Sequence, residues 1–375
     1  MRLLAFGTYD ARLHPRVQVL IEGLRAHGDD VTEIDTPLGL DTSARVAMLQ
    51  QPWRVPLLAG KLVTCWLRLC IRGRRSARRI RPDAVIVGYM GQFDIHLARF
   101  LFNKTPLALD QLVFAADTAR DRGIKSGWKT RMLERLDRAA ITSADVVAVD
   151  TDEHQELAFD HRAERAVVAP VGATNSWFTA GANRKPARAD APLRVIFYGV
   201  FTPLQGTPVI GKALKLLADA TDLHVLMVGH GQDYATTRTL AGDLPFVEWR
   251  DWVPFQELPD LVSEYDVCLG IFGDRPKALR VVPNKVYQGA AAGCALVTSD
   301  TAPQRRILDD AAGFVPPGDA LALAEVLRDL AADRSQVEKL QSASRHVADT
   351  KFRPAVVAAP LRECLASLTP EKRHR

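Results

Sequence analysis

The sequence predicts an α/β protein built from two doubly wound parallel-sheet domains that face each other across a cleft. Three observations predict it. Short apolar runs ending in Gly or Asp alternate with amphipathic helical patterns, as expected for strands buried on both faces of a parallel sheet. The alternation breaks once, in the polar, aperiodic stretch from Ala173 to Pro192, and then restarts. At 375 residues the chain is long enough for two domains, each with its own core.

Taken in order, Leu3 to Phe6 is a strand ending at Gly7, Arg16 to His27 an amphipathic helix stopped by Gly28, and Val31 to Ile34 a second strand. A basic helix follows, then strands Ala84 to Val87 and Leu107 to Leu109, a helix from Lys129 to Ala139 and the strand Val146 to Val149. Past the break come strand Val195 to Tyr198, helix Pro208 to Asp219, and strands His224 to Val228 and Phe246 to Glu248. The pattern divides the chain into Rossmann-like domains at 1–180 and 190–352, with a helix and tail at 353–375 that pack back on the first domain. Pro354 to Leu368 is the helical part of that tail, and the closing EKRHR reads as disordered.

Composition narrows the class. A chain that is 47% hydrophobic and 25% charged is an ordinary globular protein. Five cysteines with no C-x-x-C pair suggest neither a disulfide framework nor a zinc site, which fits a reducing cytoplasm. The opening MRLLAFGTYD reads as a first strand rather than a signal segment, and no apolar run is long enough to span a bilayer.

The modest net charge of +5 is unevenly placed. Arg54, Lys61, Arg68, Arg72, Arg74, Arg75, Arg78, Arg79 and Arg81 follow one another with no Asp or Glu among them. Lys61, Arg68, Arg72, Arg75 and Arg79 share one helical face, beside an apolar stripe of Leu62, Cys65, Trp66 and Leu69. Two readings fit: a helix lying on an anionic membrane surface through residues 54–81, peripheral on the inner face of the cell membrane, or a helix packed on its own sheet with a solvated basic face. Nucleic acid is not expected as a partner, because Trp66 alone cannot provide interleaved stacking aromatics.

The run from Asp266 to Asp300 carries the most chemistry. Val267 to Phe272 and Ala295 to Thr298 read as buried strands, and between them a helix opens at Pro283 and closes at Gly293. The N–H groups of Asn284, Lys285 and Val286 then face the preceding loop, where the helix dipole favours an anion and Lys277, Arg280 and Lys285 add fixed positive charge. An ordinary crossover helix with a basic first turn is the plainer alternative. Further Gly-bearing loops at strand ends occur at Gly7, Gly199, Gly229 and Gly273.

The blocks FYGVFTPLQG (Phe197 to Gly206), HVLMVGHGQDY (His224 to Tyr234), the stretch from Pro245 to Phe272, PNKVYQGAAAGCALVTSD (Pro283 to Asp300) and GFVPPGD (Gly313 to Asp319) resemble, in order and spacing, the nucleotide-sugar-binding domain of family-4 glycosyltransferases of GT-B fold. The segments HPRVQVLIEGLRAHGDDVTEI, Asp110, Asp117 to Gly123, LDRAAITSADVVAVDT and APVGATNSWF resemble blocks of the family's acceptor-binding domain. The patterns G-x-F-x-P-L-x-G and K-A-x-R-V-x-P-N-K point to one sub-branch. The resemblance implies a retaining hexosyltransferase that moves a sugar from a nucleoside-diphosphate donor to an acceptor hydroxyl, on a lipid-linked or cell-surface glycan precursor. It implies no cofactor and no metal.

The departures from that family are specific. Its phosphate loop usually carries an Arg and a Lys where this chain has Val200 and Gln205, and its paired glutamates correspond to Arg280 and Gln288. The resemblance then assigns donor binding to Gly199, Gln205, Gly206, Gly229, Lys277, Asn284, Lys285 and Gln288, with Arg280 and Lys285 supplying catalytic charge against the leaving diphosphate. Asp117 is the further catalytic candidate, and His14, Arg16 and Asp110 are candidates for holding the acceptor; a capping or solvent role for each of these three is the alternative. The D-T-D at Asp150 to Asp152 is common enough by chance to carry no metal assignment. Two other functions stay open: a catalytically inactive glycosyltransferase-like binding subunit, and a dinucleotide oxidoreductase, which Tyr234 at the third glycine position of G-x-G-x-x-G disfavours.

Overall fold

The computed structural model describes residues 1–10, 14–39, 55–185 and 191–369. It forms two compact units, Met1–Pro170 with Val357–Arg375, and Val171–Val356.

The first unit has a six-stranded parallel sheet: β1 (Arg2–Gly7), β2 (Asp30–Asp35), β3 (Ala84–Val87), β4 (Leu107–Asp110), β5 (Val146–Val149) and β6 (Ala166–Val168), in the order β2-β1-β3-β4-β5-β6. Its helices are α1 (Pro15–Ala26), α2 (Val55–Ile80), α3 (Asp94–Leu101), α4 (Ala115–Asp121), α5 (Trp128–Thr142) and α6 (Asp152–Asp160). Side chains of a strand alternate between faces, so β1 sends Leu3 and Ala5 to one core and Leu4 and Phe6 to the other. The first core is covered by α1 and the second by α2, α3 and α5. Gly73 lets α2 approach closely, since a Cβ there would lie 3.3 Å from Phe6 and 3.2 Å from Leu101.

The second unit begins with α7 (Asn175–Ala182) and continues with a parallel sheet of β7 (Leu193–Tyr198), β8 (Leu223–Val228), β9 (Val247–Arg250), β10 (Val267–Leu269), β11 (Ala295–Ser299) and β12 (Ala312–Val315), in the order β12-β11-β10-β7-β8-β9. Its helices are α8 (Thr207–Leu216), α9 (Tyr234–Ala241), α10 (Leu258–Ser263), α11 (Asn284–Ala291), α12 (Ala302–Leu308), α13 (Ala320–Ala332) and α14 (Arg334–Val347). The last helix, α15 (Pro354–Leu368), contributes Val357, Ala358, Leu361 and Leu365 to the core of Leu3, Ala5 and Val17, and its Arg362 pairs with Asp29 at 2.8 Å.

Two sequence expectations are corrected. The stretch from Ala173 to Pro192 is no linker in its first half: α7 buries Trp177 completely and stacks it on Tyr198 at 6.0 Å. The units therefore divide between Pro170 and Val171, and the first domain ends well before 180. Polarity misleads here because one buried aromatic fixes a short helix that has little periodicity of its own. Strand β10 stops at Leu269 rather than Phe272, because the next N–H groups leave the ladder: Ile271 donates to Thr298 Oγ1 at 3.3 Å and Phe272 to the Gln205 carbonyl at 3.0 Å. The apolar stripe of α2 packs inward, as the second of its two readings expects: Cys65 and Leu69 are buried, and Trp66 donates to Asp94 at 2.9 Å. Arg54 and the EKRHR tail lie outside the described residues.

Candidate functional site

In the second sheet the chain runs from β7 outward through β8 and β9, then returns to β10 on the other side of β7. The strand order reverses between β7 and β10, and loops at the carboxyl ends of strands beside such a reversal are where α/β sheets bind ligands. The loops meet closely there. Gly199 donates to the Val228 carbonyl at 3.0 Å, Phe201 to that of His230 at 3.1 Å, and Gly318 to that of Phe272 at 3.0 Å.

Two glycines make this packing possible. Gly206 caps α8 at φ 64°, and a Cβ on it would fall 2.3 Å from the Phe272 carbonyl carbon and the Gly273 nitrogen. Gly229, at φ 124°, lies against Gly199, whose carbonyl oxygen would be 1.9 Å from an added Cβ. Val200, where the family has its Arg, is exposed.

The charge enters from α11. Lys285 is 4% exposed; its Nζ donates to Gln205 Oε1 at 2.5 Å and lies 3.6 Å from the centre of the Phe197 ring. Among the described residues no carboxylate pairs with it. Burial therefore lowers its pKa to about 7, with Cys268 opposing the shift. A desolvated ammonium beneath a strand-end loop, held by a neutral amide and an aromatic face, is a site for an anion.

The other expected donor residues have different settings. Asn284 opens α11 and is half-buried, but the Val286 N–H expected to face the loop donates to the Pro283 carbonyl at 3.0 Å. Gln288 is buried, and its Oε1 accepts from the Tyr198 hydroxyl at 3.0 Å, so its acceptor half is already engaged. Lys277 and Arg280 are half-buried in the turn leading to α11, closed by Arg280 N–H donating to the Lys277 carbonyl at 3.1 Å and packed against α12.

In the first unit two expected acceptor residues turn out to be structural. Arg16 is 1% exposed: Nε meets Asp110 Oδ1 at 2.6 Å, Nη1 donates to the carbonyls of Ala169 (2.5 Å) and Pro170 (2.9 Å), and Nη2 to that of Val149 (3.3 Å). With its guanidinium consumed inside the fold, Arg16 is not placed to meet a bound anion, and buried Asp110 is its counter-charge. Burial pushes the Asp110 carboxyl up while Arg16 opposes the shift. His14 is half-buried, with Nδ1 2.7 Å from the Asp10 carbonyl and its ring 4.3 Å from that of Tyr89. Asp117 sits half-buried in the first turn of α4.

The sequence reading missed Asp137. This carboxylate, on the buried face of α5, accepts from the N–H groups of Ala115 (3.1 Å) and Ala116 (3.3 Å) and so holds the start of the helix that carries Asp117. Burial pushes it up to about 6 against those bonds. An acid on the apolar side of an amphipathic helix was the available signal. The D-T-D segment is structural: Asp150 pairs with His154 at 2.6 Å, Thr151 caps α6, and although burial acts to raise Asp150, His154 and Arg16 hold it below the usual carboxylate range. Among the described residues no group of three His, Cys, Asp or Glu side chains could hold a metal ion, and no helix is long and apolar enough to cross a membrane.

Two family models match the chain: a glycosyl transferase 4-like domain over residues 13–172 and glycosyl transferases group 1 over residues 192–333. Together they span most of its length, and the chain belongs to the glycosyltransferases of GT-B fold. Among solved structures, HepE of Anabaena in complex with UDP matches with a TM-score of 0.66 at 13% identity, over 98% of this chain and 100% of that one. Sucrose-phosphate synthase from Thermosynechococcus elongatus matches at 0.69 and 15%, over 98% and 99%. The α,α-trehalose-phosphate synthase (UDP-forming) from Burkholderia vietnamiensis matches at 0.67 and 14%, over 98% and 97%. Identities this low speak to the fold alone. No curated protein matches the chain significantly.

Proposed function

We propose that the protein is a retaining, family-4 hexosyltransferase that moves a sugar from a nucleoside-diphosphate donor to a hydroxyl of a lipid-linked or cell-surface glycan precursor. The observation that carries this reading is the buried Lys285 ammonium, paired with no carboxylate among the described residues, standing on Gln205 at the strand-order reversal. A diphosphate supplies the negative charge that this ammonium lacks. Support for a nucleotide-sugar donor comes from the neighbours: the Anabaena protein was solved with UDP and with UDP-glucose, and two others are sugar-phosphate synthases.

In this reading the diphosphate gains charge as the glycosidic bond breaks, and Lys285, Arg280, Lys277 and the amino end of α11 stabilise it without a metal. Asp117 holds the acceptor or the transferred sugar. The acceptor class rests on the cationic helix α2.

The test is a thermal-shift screen against a panel of nucleoside diphosphates and their sugars, followed by a transfer assay run with a chelator present. Stabilisation by one nucleotide family and metal-independent transfer are expected. Binding without transfer to any lipid-linked or glycan acceptor would favour a non-catalytic subunit, and no binding at all would remove the reading.

A further inference from the structure

Helix α2 has three longitudinal sectors. One is buried against the sheet through Cys65, Leu69 and Gly73. A second carries exposed cations, among them Lys61, Arg68, Arg75 and Arg79, and the helix contains no acidic residue. The third was not visible in the sequence. Val63, Leu67 and Ile71, spaced four residues apart and so aligned on one ridge, are 54%, 61% and 55% exposed. Phe100 of α3, 70% exposed, widens the apolar strip beside the helix, with the Arg74 guanidinium 6.0 Å from its ring.

We propose that this face of the first unit docks on an anionic lipid surface, with Leu67 and Ile71 entering the acyl boundary and the flanking arginines pairing with lipid phosphates. Three bulky apolar side chains left in water on one ridge, with Phe100 beside them, are unfavourable unless something covers them. The cover must also accept a row of cations with no intervening carboxylate. A second copy of this chain would bring the same cations against themselves, which like-charge repulsion disfavours. Nucleic acid would satisfy the charge but leave the aliphatic ridge uncovered, and the aromatic on the helix, Trp66, is turned inward to Asp94. A phase with an anionic rim over an apolar interior matches both sectors at once. This inference goes beyond the proposed transfer reaction and does not depend on the donor site.

Flotation of the full chain with vesicles tests it, using no nucleotide sugar. The protein should rise with vesicles rich in phosphatidylglycerol at low salt and stay behind with pure phosphatidylcholine. Leu67→Glu/Ile71→Glu should reduce the bound fraction at least tenfold, and Arg75→Ser/Arg79→Ser about fivefold per cation removed. Because these side chains are exposed, circular dichroism and melting temperature should be unchanged in both variants. Wild-type protein that ignores phosphatidylglycerol vesicles would overturn the proposal. So would a Leu67→Glu/Ile71→Glu variant that floats like wild type, or one whose only change is dissociation of a dimer seen by light scattering.

Discussion

Lys285 Nζ donates to Gln205 Oε1 at 2.5 Å, although Lys285 lies in the first turn of α11 and Gln205 in the turn before α8. By the resemblance Gln205 stands where many members carry a lysine, and here an ammonium reaches that place from α11. In the proposed donor site this exchange supplies a charge in place of both usual phosphate-loop cations.

Donor affinity should depend on pH through this lysine. Burial lowers its pKa to about 7, and an anion at Nζ favours the charged form. Above pH 7 each binding event must then take up a proton, so the affinity for a nucleotide sugar should be flat below about pH 7 and fall by up to tenfold per unit above it. The free protein trends oppositely. The folded-state value lies below the ordinary 10.5, so the penalty for burying the ammonium is fully present below pH 7 and is relieved as pH rises toward 10.5. Calorimetric titration across pH checks the first trend; an affinity that rises between pH 7 and 9 would contradict it.

Gly206→Ala should damage the loop rather than the core. The residue sits at φ 64°, and an added Cβ would lie 2.3 Å from backbone atoms of Phe272 and Gly273, neither of which can rotate away. We expect a loss of at least about 2 kcal/mol in urea denaturation and at least tenfold weaker donor binding. Wild-type stability and affinity in this variant would show that the loops do not meet there.

Arg16 should be a stability residue. Arg16→Met leaves Asp110 buried without its counter-charge, which costs about 3–5 kcal/mol, whereas Arg16→Met/Asp110→Leu should recover most of that loss. Denaturant midpoints of the two variants decide it. If the single variant is within about 1 kcal/mol of wild type, Arg16 is not an internal brace.

Trp177→Ala should cost about 3–5 kcal/mol, because the ring is fully buried and stacked on Tyr198. A flexible linker would lose almost nothing on the same change. The melting temperature therefore distinguishes a helix belonging to the second unit from a connecting segment.

Much of the fold could be read from the residues because strands buried on both faces, such as Ala84 to Val87, announce themselves as unbroken apolar runs ending in Gly or Asp. What escaped were features fixed by partners distant in sequence. Trp177 orders α7 through Tyr198, and Thr298 ends β10 by taking the Ile271 N–H. The site was legible as a basic helix start, but the charge pattern could not show that Lys285 points inward to Gln205. Nor could it show that Arg16, which reads like an exposed ligand, is spent on Asp110 and three carbonyls. The basic face of α2 was plain in the sequence, whereas its exposed apolar ridge became distinct only once the sheet had claimed the neighbouring stripe.

Lys285→Met separates stability from function at one residue. Methionine fills the same space without a desolvated charge, so the variant should fold as well as or better than wild type in urea at pH 6 while nucleotide-sugar affinity falls at least a hundredfold in calorimetry. A variant that binds the donor as tightly as wild type would contradict the assignment of the buried ammonium to the diphosphate.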